Sequence, residues 1–191
     1  MERISGLLGR AFGRWWVLGL LFAASILMFY WIVPQAGAAV TAGRTLAPKI
    51  LDEYYLTWTP DDARHFYAAI GAQGRAAYRA YYLHLDFWFP VLTLTLCYIS
   101  LLSLAFRPGS RWSWVNLLPL LMYASDVAEN LNHFSMAYTY PVLSPFSLTW
   151  GPWFSGAKYA IMTVLPLLAL VGFAAQAMRR PVRSQRKGSV R

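Results

Sequence analysis

The stretch WWVLGLLFAASILMFYWIV, residues 15–33, decides the fold class. It holds nineteen consecutive residues without a charge, close to the roughly 20 apolar residues a helix needs to cross the ~30 Å hydrocarbon layer of a bilayer. Trp15 and Trp16 open it, and Tyr30 and Trp31 close it, so aromatic rings fall where the two membrane interfaces would lie. Basic residues precede it and the small residues AGAA (36–39) follow it, which is also the layout of a secretory signal. A signal core is only ~7–15 residues long. A retained span is therefore expected, stopped at Pro34 because proline has no N–H for the helix ladder.

Three more segments downstream are apolar enough to match it, at about residues 82–106, 112–137 and 157–178. Composition agrees: the 191-residue chain is 58% hydrophobic and 17% aromatic and only 13% charged, whereas soluble domains carry ~25% charged residues. The expected fold is all-α, a polytopic four-transmembrane-helix bundle forming one domain over residues 1–178, with a basic tail at 179–191. No internal repeat is evident. The single cysteine, Cys97, lies inside an apolar run, so neither an intramolecular disulfide nor a cysteine metal cluster can form.

The formal charge of +9 is distributed as a membrane protein would distribute it. Six of the seventeen basic residues fall in the last thirteen positions, RRPVRSQRKGSVR, beside an apolar span. This reads as an anchor facing anionic lipid rather than a nucleic-acid surface. Arg3, Arg10 and Arg14 precede the first span, and Arg107 and Arg111 occupy the short loop after the second. The segment between the third and fourth spans, 138–156, has no charge. The positive-inside rule then places both termini in the cytoplasm of a cell whose inner or plasma membrane holds the chain. The expected partner is the lipid bilayer, with no nucleic acid.

The loop at 34–81, external on this topology, is too long to lack structure. In TPDDARHFYAAI, Thr59 suits an N-cap, Pro60 the first helical position, and Asp61 and Asp62 the positive end of the dipole. A helix should begin at Pro60, break at Gly71 and Gly74, and resume toward the second span, giving an external helical hairpin. The glycine pair is no phosphate loop, because the Gly-Lys-Ser/Thr ending is missing.

Three of the eight acidic residues, Asp86, Asp126 and Glu129, fall inside expected spans. A charge at the centre of a membrane helix costs roughly 2.5–3.5 kcal/mol on insertion scales, so such groups face the protein interior and have partners. In SDVAENLNH (125–133), Asp126, Glu129, Asn130 and His133 stand three, four and seven apart and share one helical face; Asn132 lies outside it. On the second span, Asp86, Pro90, Thr93, Cys97 and Ser100 form a small or polar stripe by the same spacing. At ~1.5 Å per residue, Asp126 and Glu129 lie roughly 21–26 Å from an inner start at Trp112. Asp86 and Lys158 lie near the outer ends of their spans, so all are expected at one level, in the outer half of the bundle.

That convergence points to an outward-facing polar pocket. Asp126 and Glu129 are the candidate catalytic acids, because crowded carboxylates repel each other's ionisation and one is expected to hold a proton. Asp86, Asn130, His133 and Lys158 are the candidate substrate-binding residues. Asp126, Glu129 and His133 also have the spacing of a metal site, but the chain lacks HExxH and paired Glu-x-x-His helices, so no metal and no cofactor is expected. Ser125 points away from the cluster and Cys97 has no histidine in register, which argues against a nucleophilic triad. The uncharged segment YTYPVLSPFSLTWGPWFSGA (138–157) is rich in aromatics, and is expected to fold back on the outer interface as an aromatic belt or as a lid.

The series TPDDARHFYAAIGAQGRAAYRAYYLHLDFWFP (59–90), then LPLLMYASDVAENL (118–131), then Lys158, resembles a family of small four-span prokaryotic membrane proteins. In that family a Gly-Arg-x-x-Tyr segment precedes an Asp-x-x-Phe-Pro span, and a later span carries Asp-x-x-Glu-Asn. The matching residues are Gly74, Arg75, Tyr78, Asp86, Phe89, Pro90, Asp126, Glu129, Asn130 and Lys158, over about two-thirds of the chain. The resemblance implies a four-span fold and marks these residues as one set; it implies no particular reaction. Three functions remain open on the sequence. The first is binding, and acid-base transformation, of a small apolar or lipid-like molecule. The second is a non-catalytic membrane subunit whose polar cluster is packing glue. The third is a proton-coupled transporter, for which four spans require a homo-oligomer.

Overall fold

The computed structural model describes residues 2–41, 49–51, 54, 57–82, 86, 89–107 and 109–178. Every regular element among them is a helix: α1 Glu2–Phe12, α2 Trp15–Leu27, a π-helical turn Met28–Ile32, α3 Val33–Thr41, α4 Pro60–Ala69, α5 Gly71–Tyr81, α6 Pro90–Ala105, a 3-10 turn Ser113–Leu117, α7 Leu118–Thr139 and α8 Pro145–Met178. Two runs are long and apolar enough to cross a membrane, Trp15–Thr41 with 27 residues and Pro145–Met178 with 34. α6 is apolar but shorter. α7 has the length, at 22 residues, but its polar face dilutes its hydropathy. His84 and the tail 179–191 lie outside the described residues.

The boundaries differ from expectation at four places, each for a local reason. The first apolar run does not stop at Pro34 but continues to Thr41. The π turn just before Pro34 ends with the Val33 N–H donating to Met28 O, five residues back. Widening the helix there accommodates a ring that lacks an N–H and would crowd the preceding turn. In the second segment, parts of 82–89 lie outside the described residues, and the described α-helix, α6, starts at Pro90, where the missing N–H costs nothing. The third begins with a 3-10 turn, so its α-helix starts at Leu118. The fourth starts at Pro145, twelve residues early, and runs through Pro152 and Pro166. The aromatic segment is thus the first turns of α8 and not a loop folded over a pocket; Phe146, Trp150 and Trp153 point outward, the last 70% exposed. Prolines inside an apolar helix are tolerated when neighbours satisfy the freed backbone.

The helix expected at Pro60 is present with a full capping box: the Thr59 side chain accepts from the Asp62 N–H at 3.2 Å, and Asp62 accepts from the Thr59 N–H at 2.7 Å. Its break comes at Gly71 alone, where φ is +68°. Gly74 sits inside α5 instead, pressed against α3: a Cβ there would lie 2.6 Å from Val40 O. Two arginines then fasten this region to carbonyls at helix C-termini, Arg75 to Tyr67 O at 2.7 Å and Arg79 to Ala137 O at 3.0 Å.

Two apolar cores result. One, mostly aromatic, gathers Trp58, Phe66, Tyr67, Tyr78 and Tyr82 against Met136 of α7. The other packs Val91 and Leu102 of α6 and Leu165 and Ala169 of α8 around Met122 of α7. Residues 126–133 of α7 lie between Met122 and Met136, so the polar face is the seam between the two cores. α2, by contrast, is largely uncovered, with Trp15 at 67% and Leu20 at 63% exposure.

Candidate functional site

The face read from spacing is buried as a unit: Asp126, Glu129 and His133 are 0% exposed and Asn130 is 2%. The spacing of three, four and seven works because α7 is regular through this stretch. α8 faces it with a stripe at helical intervals, Ser147, Gly151, Ser155 and Lys158, all buried. Asp86 arrives from the segment that leads into α6 and is 6% exposed. Five of the six candidate residues meet directly around Lys158 and Asn130, and the sixth, His133, stands one turn further along α7 with its Nε2 3.7 Å from Glu129 Oε1.

Lys158 is the centre of charge. Its Nζ lies 3.2 Å from Asp126 Oδ1 and makes a close ion pair with Glu129 Oε2. Asn130 is the second hub: its Nδ2 donates to Asp86 Oδ2 at 2.8 Å and to Asp126 Oδ2 at 3.1 Å. One amide thus holds two carboxyl groups together while one ammonium holds a different two. Three carboxyls against one ammonium leave an excess of acid, and a buried set of this kind cannot carry two uncompensated negative charges.

Several partners were not legible from spacing. Ser155 donates through Oγ to Glu129 Oε1 and accepts from Trp58 Nε1 at 3.1 Å. Tyr67 OH is 3.2 Å from His133 Nδ1 and donates to the His133 carbonyl at 3.3 Å. Tyr81 OH donates to Asp86 Oδ1 at 3.0 Å. Gly151 makes the Trp58 contact possible, because a Cβ there would sit 2.5 Å from Trp58 Cζ2 and overlap Asn132 Nδ2. Asn132, off the acid face as expected, donates to Ser147 O at 3.3 Å. The signal for Ser155 was present as the Ser-Gly-Ser-Lys stripe, but only once 145–156 is read as helix.

A cavity of about 210 Å³ opens on one side of this network. Asp86, Asp126 and Lys158 form its polar wall, and Phe29, Leu94 and Met162 are among its apolar walls. Glu129, Asn130 and His133 do not line it; they stand behind the wall. His133 is enclosed instead by aromatic rings, with Tyr82 stacked at 5.5 Å between centroids. The stripe on α6 is carried partly as expected: Pro90, Cys97 and Ser100 are buried, whereas Thr93 is half-buried.

The level of the site also shifts. Counting from Leu118, Asp126 and Glu129 lie about 12–17 Å along a helix of about 33 Å. Lys158 lies about 20 Å into α8 instead of in its first turn. The cluster is therefore at mid-height of α7 and not toward one end.

The chain matches no family model, no curated protein and no solved structure. Among the described residues, no group of three His, Cys, Asp or Glu is arranged to hold a metal ion. What the site does must follow from its own geometry.

Proposed function

We propose that this is a four-span membrane protein of the inner or plasma membrane, with both termini cytoplasmic and α4–α5 outside. In this reading the crossings are α2–α3, the segment ending in α6, α7 and α8. Support comes from the bare apolar surfaces of α2 and α8 and from the packing of the first run into the fold, where Val40 is 1% exposed. The resemblance to small four-span prokaryotic proteins belongs to this proposal; its motif residues Asp86, Asp126, Glu129, Asn130 and Lys158 are the ones that share hydrogen bonds and ion pairs.

The function best supported is binding, and acid-base transformation, of a small apolar or lipid-like molecule. The observation that carries it is a cavity whose wall joins Asp126 and Lys158 to apolar side chains. At about 210 Å³ it is below the ~300–1,000 Å³ of pockets that enclose a whole drug-sized ligand, which suits the polar head of an amphiphile whose remainder lies in lipid. Asp126 faces the ligand and exchanges the proton; Glu129, behind it, is the second carrier. Lys158 and Asp86 set the charge. Asn130 and His133 act as positioning residues, since the cavity wall separates them from the ligand.

A second reading, packing glue, is favoured by the direct contact of Lys158 with both carboxylates. The two are separated by purifying the protein in lipid nanodiscs and analysing what is retained. Site binding predicts that a lipid-like molecule co-purifies with the wild type, raises its melting temperature when added back, and is lost from Asp126→Asn. If no extractable molecule shifts the wild type, or if it shifts Asp126→Asn equally, binding is refuted and glue stands.

A further inference from the structure

A larger cleft lies away from this site, at the other end of α6 and α8. It measures about 560 Å³ and is walled by apolar residues such as Phe106, Leu118 and Leu168. A second cleft of about 370 Å³, bordered by Trp15 and Phe173, lies beside it. The two share Arg107 and Gln176. Gln176 is fixed in place by donating to Leu104 O at 2.8 Å and Ala105 O at 2.6 Å, so it forms a rigid post between two apolar slots.

Arg107 stands exposed at the head of both slots. A turn closed by the Ser110 N–H donating to Arg107 O at 3.1 Å, with Gly109 at φ +83°, brings Ser110 beside it. Ser110 lines the larger cleft, with its Oγ turned away from the opening and buried. Arg111 adds a second cation, over the Trp112 ring at 4.9 Å. Among the described residues no carboxylate is in ion-pair reach of Arg107 or Arg111. Two clefts meeting at one exposed guanidinium, the larger walled mostly by apolar side chains and the smaller flanked by Trp15 and Phe173, match a molecule with two apolar chains and one anionic head.

The geometry points to a binding site for one diacyl anionic phospholipid, with its phosphate at Arg107 and one chain on each side of Gln176. The inference rests on the membrane reading above, not on the acid site. It also agrees with charge: Arg107 and Arg111 lie on the end assigned to the cytoplasm, where anionic lipid is concentrated. A guanidinium is suited to this head because it makes paired, charge-assisted hydrogen bonds to phosphate.

The test uses full-length protein in nanodiscs and native mass spectrometry, with phosphatidylglycerol and phosphatidylcholine as probes. One phosphatidylglycerol should be retained per chain, with retention at least about tenfold weaker in Arg107→Gln, as expected on losing a charge-assisted hydrogen bond. Leu168→Trp, which fills the larger slot and leaves the arginine, should weaken it comparably; Asp126→Asn should leave it unchanged. Equal retention of phosphatidylcholine, or no effect of Arg107→Gln in a protein with unaltered melting, overturns the site. Displacement of the lipid by glycerol 3-phosphate at equal concentration also overturns it, because that would make it a soluble-phosphate site.

Discussion

Replacing Lys158 with methionine is the most informative single change. The side chain is 8% exposed as a residue and is the ammonium shared by Asp126 and Glu129. Methionine keeps most of its volume, so packing changes little and the experiment isolates the charge. Removing one partner of a buried ion pair typically costs about 3–5 kcal/mol, because the remaining charge is left uncompensated in a medium that does not solvate it. For a chain of this size each kcal/mol corresponds to about 2–4 °C, giving a fall of about 6–20 °C in melting temperature. Thermal unfolding in detergent, followed by far-ultraviolet circular dichroism, reads this directly. The same logic predicts a rescue: adding Glu129→Gln to Lys158→Met should recover much of the loss, since the orphaned carboxylate disappears with it. If Lys158→Met melts within 2 °C of the wild type, the lysine is not the counter-charge and the reasoning about the cluster fails. If the double variant is worse than the single, the cost was packing and not charge.

Two further outcomes follow from the same network and from α4. Ser155→Ala strips a donor from Glu129 and an acceptor from the buried Trp58 indole, and should cost about 1–3 kcal/mol in unfolding experiments; a neutral result would mean that water replaces the hydroxyl. Thr59→Ala removes the cap of α4 and should cost about 1 kcal/mol near neutral pH. Hydrogen bonds from the Thr59 hydroxyl and N–H hold the Asp62 carboxyl below its ordinary 3.8. The folded state therefore binds that proton more weakly than the unfolded chain. The stabilisation is complete above pH 3.8 and disappears as pH falls through the lowered folded value. The gap between wild type and Thr59→Ala should narrow over that range, and a constant gap down to pH 2 would show that Asp62 does not take part.

What the sequence alone determined was whatever depends on local periodicity. Helical phase placed Asp126, Glu129, Asn130 and His133 on one face, because a regular helix repeats its direction about every 3.6 residues whatever packs against it. The Thr-Pro-Asp-Asp start of α4 was equally legible, since capping is completed within four residues. The failures came where neighbours override local preference. Pro34 read as a stop and Pro152 fell in a segment expected between spans, yet both lie inside long helical runs, and moving the start of α8 to Pro145 is what brings Ser155 into the site and Lys158 to mid-helix. Trp58 and Tyr67 reach the cluster from 97 and 66 residues away in the chain, distances no periodicity can see. Tertiary structure also decided which acids meet the cavity: Asp126 and Glu129 share a helical face, but only packing against α6 and α8 leaves one at an opening and puts the other behind it.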